Sequence, residues 1–159
     1  INNFNAAFNT IMFPEGTTTD GKKVALFHAG LITVLYGEKG TDKNNQEVAL
    51  DKDVVVQPVA IKIREVEGQN ATNNDSLRDL YSMYHEDKTL TRIWKRLQVK
   101  NITIELTAFE PMKPADYADA KALINKAALD IASVVNPGQT TFEKAVIPGQ
   151  APKAPAPAA

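Results

Sequence analysis

Hydrophobic and polar positions alternate most strictly at residues 99–109. Ile102, Ile104, Leu106 and Ala108 fall on one side, and Asn101, Thr103, Glu105 and Thr107 on the other. A period of two is the mark of a β-strand, here one with a covered face and a face that is wet or held against a partner. The second half of the stretch Val54 to Val66 repeats the pattern: Val59, Ile61 and Ile63 oppose Lys62 and Arg64. Pro58 has no N–H to give a ladder, so it predicts an edge or a bulge. Residues 22–36 are apolar on both sides. They predict a strand buried on both faces, broken near Ala29–Gly30, or two short strands, with Gly30 allowing a bulge or a close backbone approach. Residues 47–50 predict a further short strand, and 37–46 and 67–74 predict polar loops.

The period then changes to that of a helix. Leu77, Leu80, Tyr81 and Tyr84 share a face, and Leu90, Ile93, Trp94 and Leu97 resume it. The spacing predicts one long helix, or two with a break near Glu86–Thr89, capped by Asp75 or Ser76. A last helix is predicted from about Ala115 to Val135, with its stripe on Leu123, Ile124, Ala127, Ala128, Ile131, Val134 and Val135 and its stop at Asn136-Pro137-Gly138. Strands, helix, strand, helix is the order of an α+β domain: a mostly antiparallel sheet with two longer helices on one face.

Three regions follow. Residues 1–21 form an N-terminal arm rich in Asn, Thr and Gly, residues 22–136 the single α+β domain, and residues 137–159 an extended C-terminal tail. Residues 148–159 alternate Pro and Ala and have little to bury, which favours polyproline II or disorder. Apolar side chains that such arms offer to a neighbour are Phe4, Phe8 and Phe13 at one end and Phe142, Val146 and Ile147 at the other.

Composition narrows the chemistry. With 159 residues the chain is long enough for one core. Eighteen Lys and Arg against 19 Asp and Glu leave a net charge of -1, with no global attraction to nucleic acid or an anionic membrane. The absence of cysteine removes disulfides, thiolate metal sites and thiol catalysis. No apolar run reaches the roughly 18–20 residues of a membrane span. Glycine-rich phosphate loops and nucleophile elbows are missing. The two histidines, His28 and His85, have no metal-ligand spacing around them, and read as structural or surface residues. On these grounds no catalytic, cofactor or metal residue is assigned, no cofactor is expected, and the chain is expected not to be an enzyme.

One charged segment stands out. Lys88, Arg92, Lys95, Arg96 and Lys100 follow one another with no acid among them, and the first four share a helical flank. They are candidate contacts for an anion or a nucleic acid, with Tyr81 or Tyr84 stacking on bases; the plainer reading is a solvated face near a helix end that favours cations. Asn- and Thr-rich loops, no cysteine and an arm at each end resemble the small accessory subunits of viral particles. The resemblance implies a structural or assembly subunit that meets protein neighbours, in a homo- or hetero-oligomer, through its terminal arms. The compartment is left open, a virion or another extracellular or cytoplasmic assembly fitting equally. A nucleic-acid-binding module using the Lys88–Lys100 face is the alternative.

Overall fold

The computed structural model describes residues 10–37, 40–41, 47–48, 54–77 and 89–145. Strand β1 (Gly40–Thr41) pairs antiparallel with β2 (Glu47–Val48). The main sheet has three antiparallel strands: β3 (Val59–Val66) lies between β4 (Gln69–Asn70) and β5 (Ile102–Ala108). Helix α1 (Thr89–Leu97) leads into β5, and helix α2 (Ala120–Val135) follows it. The α+β class holds.

The β3–β4 connection is a two-residue turn. Glu67 (φ 50°) and Gly68 (φ 74°) both take left-handed backbone, as the tightest hairpin turns require. The first half of the stretch expected to be a loop, Glu67 to Asn70, is therefore a hairpin tip. The Glu67 carboxylate accepts the backbone N–H groups of Lys100 and Asn101, the latter at 3.0 Å, and the Glu67 N–H donates to the Asn101 carbonyl. Those N–H bonds hold its carboxyl below the ordinary value. One acidic side chain thus fixes both the turn and the start of β5.

Ile61 lies opposite Leu106 and Ile63 opposite Ile104; a bulge between Ile63 and Glu65 then shifts the register. Pro58 marks neither an edge nor this bulge: it stands just before β3, the central strand, and its carbonyl accepts the Phe109 N–H.

Helix α2 packs on β3. It starts at Ala120 and not at the expected Ala115, because Pro114–Asp116 is a separate 3-10 turn and the Asp119 side chain caps the helix by accepting the Ala122 N–H at 2.7 Å. Leu123 is 0% exposed, and it forms a core with Ile124, Val24, Phe27, Ile32 and Met112. Burying a side chain such as Leu123 contributes about 1.5–3 kcal/mol. Lys62 on the sheet reaches the helix end, where its Nζ donates to the Val134 carbonyl at 2.8 Å. A cation at a helix C-terminus meets the negative end of the helix dipole. Beside it on β3, Arg64 pairs with Glu105 of β5, whose carboxyl is held below the ordinary value by the guanidinium.

Residues 22–36 depart from expectation. Val24, Ala25, Phe27 and Ile32 are buried, yet residues 24–28 are extended without joining a sheet, and Ala29–Leu31 and Thr33–Tyr36 are 3-10 turns. The N–H groups of this segment go to separate partners. Val24 donates to the Gln139 side chain, Ala25 to the Glu15 carboxylate, Leu26 to the Glu143 carbonyl and His28 to the Pro14 carbonyl. No neighbouring strand is then needed to satisfy the buried backbone. Gly30 meets nothing within 4 Å of an added Cβ, so close approach is not its purpose.

Candidate functional site

After α2 the chain turns at Asn136 and Gly138 (φ 93°) and runs back along residues 24–26. Gln139 makes the junction. Its side-chain amide accepts the Val24 N–H at 3.0 Å, donates to the Val24 carbonyl at 2.7 Å and donates to the Thr141 carbonyl at 3.0 Å. A primary amide presents a donor and an acceptor side by side, so it matches the backbone of Val24 as a strand residue would. Phe142, half-buried, packs against the core beyond it.

Between these two segments lies an open cleft of about 560 Å³. Asp20, Lys23, Thr140, Glu143 and Lys144 give it polar walls of both signs, and Val24 and Ala25 its apolar floor. Ala25 links the cleft to a half-buried carboxylate, since its N–H donates to Glu15 Oε1 at 3.3 Å. Burial pushes the Glu15 carboxyl above its ordinary value, and the bonds from Ala25 and the Thr19 side chain oppose that shift. Next to Glu15 in the same turn is Gly16, against which the His28 ring lies: a Cβ there would stand 3.3 Å from His28 Cδ2. The turn Pro14–Gly16 thus carries the half-buried Glu15 carboxyl group and has the exposed His28 imidazole against its glycine. Among the described residues no group of three or more His, Asp and Glu could hold a metal ion.

The residues singled out by sequence are not brought together here. Phe4, Phe8, Val146, Ile147 and Lys88, and with them Tyr81, Tyr84 and His85, lie outside the described residues. Phe13 is exposed, and Phe142 packs on the core of its own chain. Arg92 is part of α1, but its side chain lies outside the description; Lys95 and Lys100 are exposed and Arg96 is half-exposed. No helix of the described residues is long and apolar enough to cross a membrane. Sequence reasoning missed Glu15, Gln139, Lys23 and Lys144. The available signal was the pair of turns at Asp20-Gly21 and Asn136-Pro137-Gly138, which stand at the two walls of the cleft.

No family model matches the chain, and no solved structure does. Among curated proteins, the chain is similar to the lyso-ornithine lipid O-acyltransferase of Pseudomonas aeruginosa strain PAO1, at 28% identity over 120 residues. The match covers 75% of this chain and 37% of that protein, so the chain spans little more than a third of the relative's length. This likeness overturns the expectation of a non-enzymatic structural subunit of a viral particle. The error lay in equating the absence of short motifs with the absence of chemistry. Contacts such as Ala25 with Glu15, His28 with Gly16 and Val24 with Gln139 form only in the folded chain, and no local spacing announces them.

Proposed function

We propose that this chain carries part of an O-acyltransferase whose acceptor is a lipid alcohol with a charged headgroup. One observation carries the reading: the 28% identity to an acyltransferase across three quarters of the chain. The cleft supports it. Asp20 and Glu143 suit an ammonium group and Lys23 and Lys144 a carboxylate, so the walls fit a zwitterionic headgroup such as that of an ornithine lipid.

Acyl transfer to oxygen requires removal of the hydroxyl proton as the oxygen attacks the acyl carbon. The bond from that carbon to its carrier breaks, and the proton passes to the departing carrier. Imidazole is suited to receive and return such a proton. His28 is exposed beside the Glu15 turn, and we assign it this role.

The test is incubation of the full chain with a radiolabelled long-chain acyl thioester and lyso-ornithine lipid, followed by chromatography of the lipids. The expected result is labelled diacylated product, with His28→Ala lowering the rate by about 100-fold or more. Failure of the native chain to form product overturns the reading. A native rate in His28→Ala removes His28 from it.

A further inference from the structure

Two apolar surfaces face outward among the described residues. The first is the sheet face of β3 and β5. Val59, Ile61, Ile104 and Leu106 are 43, 55, 54 and 66% exposed, and the register sets Ile61 against Leu106 and Ile63 against Ile104, so they form one patch. The second is α1, where Leu90, Trp94 and Leu97 are 80, 67 and 73% exposed. Their spacing of i, i+4 and i+7 places them on one stripe. This stripe stays open although only residues 98–101 separate α1 from β5.

We propose that the two surfaces cover each other across a two-fold dimer, α1 of one copy lying on the open sheet face of a second copy and the reverse. The shapes fit. A nine-residue helix is roughly 14 Å long and 10 Å across with its side chains, and two paired strands offer a flat band of about that width. The area fits as well. With Ile93 and Ile102 included, the exposed apolar side chains leave on the order of 1,000 Å² open per chain, or about 2,000 Å² for a reciprocal pair, against roughly 1,200–2,000 Å² for a stable interface.

Charge selects the occupant. Residues 88–100 hold five Lys and Arg and no acid; the remaining 13 basic and 19 acidic side chains give the rest of the chain a net charge of -6. The basic helix is therefore attracted to the body of a second copy. The same acidic body repels an anionic bilayer, the other surface that an amphipathic basic helix would suit. The dimer does not depend on the acyltransferase reading.

The sequence supplies its own probes, having one tryptophan and no cysteine. The full chain is followed by sedimentation and by Trp94 emission across a dilution series. The expected result is a monomer–dimer equilibrium with emission shifting to the blue as dimer forms. Leu106→Asp, at an exposed position, should keep the circular dichroism of the native chain and weaken dimerisation by about 30-fold or more. Mixing Leu97→Cys chains with Leu106→Cys chains under mild oxidation should give the mixed disulfide in excess of either homodimer. A monomer at every concentration overturns the proposal, whether Trp94 is exposed or is covered by its own chain. So does a dimer indifferent to Leu106→Asp, or a blue shift that appears only with anionic vesicles.

Discussion

Replacing Gln139 by alanine tests the junction that forms the cleft. The amide of Gln139 satisfies both the N–H and the carbonyl of Val24, a residue buried in the core. Alanine removes both partners and leaves a donor and an acceptor with nothing to bond. A buried unsatisfied group costs about 1–3 kcal/mol. Two of them, lessened by water that can enter from the open cleft, cost about 2–4 kcal/mol. For a domain of this size such a loss lowers Tm by roughly 5–15 °C. Gln139→Glu is the sharper companion. It keeps an acceptor for the Val24 N–H but, when ionised, sets a carboxylate oxygen where the Val24 carbonyl expects a donor. It should be the more damaging change at pH 7 and approach the native chain as the pH falls toward 4. Urea unfolding followed by circular dichroism gives both numbers. A loss under about 0.5 kcal/mol for Gln139→Ala, with an unchanged denaturant slope, would show that this amide does not hold the two segments together.

Two further outcomes are expected. Leu123→Ala, at the centre of the core, should destabilise by about 3–5 kcal/mol in the same unfolding assay, because the surrounding α2 and 3-10 segments can close only part of the cavity. Glu15 titrates above its ordinary value of 4.5 in the folded chain, so folding favours its protonated form and its contribution to stability falls as pH rises from that value through the folded one. Glu15→Gln should therefore gain Tm relative to the native chain between pH 4 and pH 7, and a difference that stays constant with pH would refute the assignment.

The elements that could be read from sequence are those whose backbone partners are local or repetitive. β5 and the second half of β3 were legible because alternation is strict there, and α2 because its stripe returns every three or four residues and Asn136-Pro137-Gly138 stops it. The segment 22–36 was not. Its apolar run is consistent with a strand, and the groups that satisfy its backbone stand as far off as Gln139, 115 residues away. Alternation also shows that a sheet has two faces without showing which one is covered. Here α2 covers the side bearing Ala60 and Lys62 and leaves Ile61 and Leu106 open, helped by a lysine long enough to reach Val134. The candidate site was illegible for a related reason. Glu15 and Lys144 belong to segments that sequence marks only as a turn and an end, and His28 to a run read as a buried strand.

The carboxylate of Glu67 bears on the order in which the chain assembles. The hairpin it caps is closed by neighbours in sequence, and such hairpins form in roughly 1–10 μs. The bond from Asn101 spans 34 residues, and the ladder between β3 and β5 must likewise wait for a long loop to close. A hairpin tip that already presents an acceptor for two incoming amides offers the late strand a landing point in the correct register. Removing that acceptor should slow the arrival of β5 more than it hastens its departure.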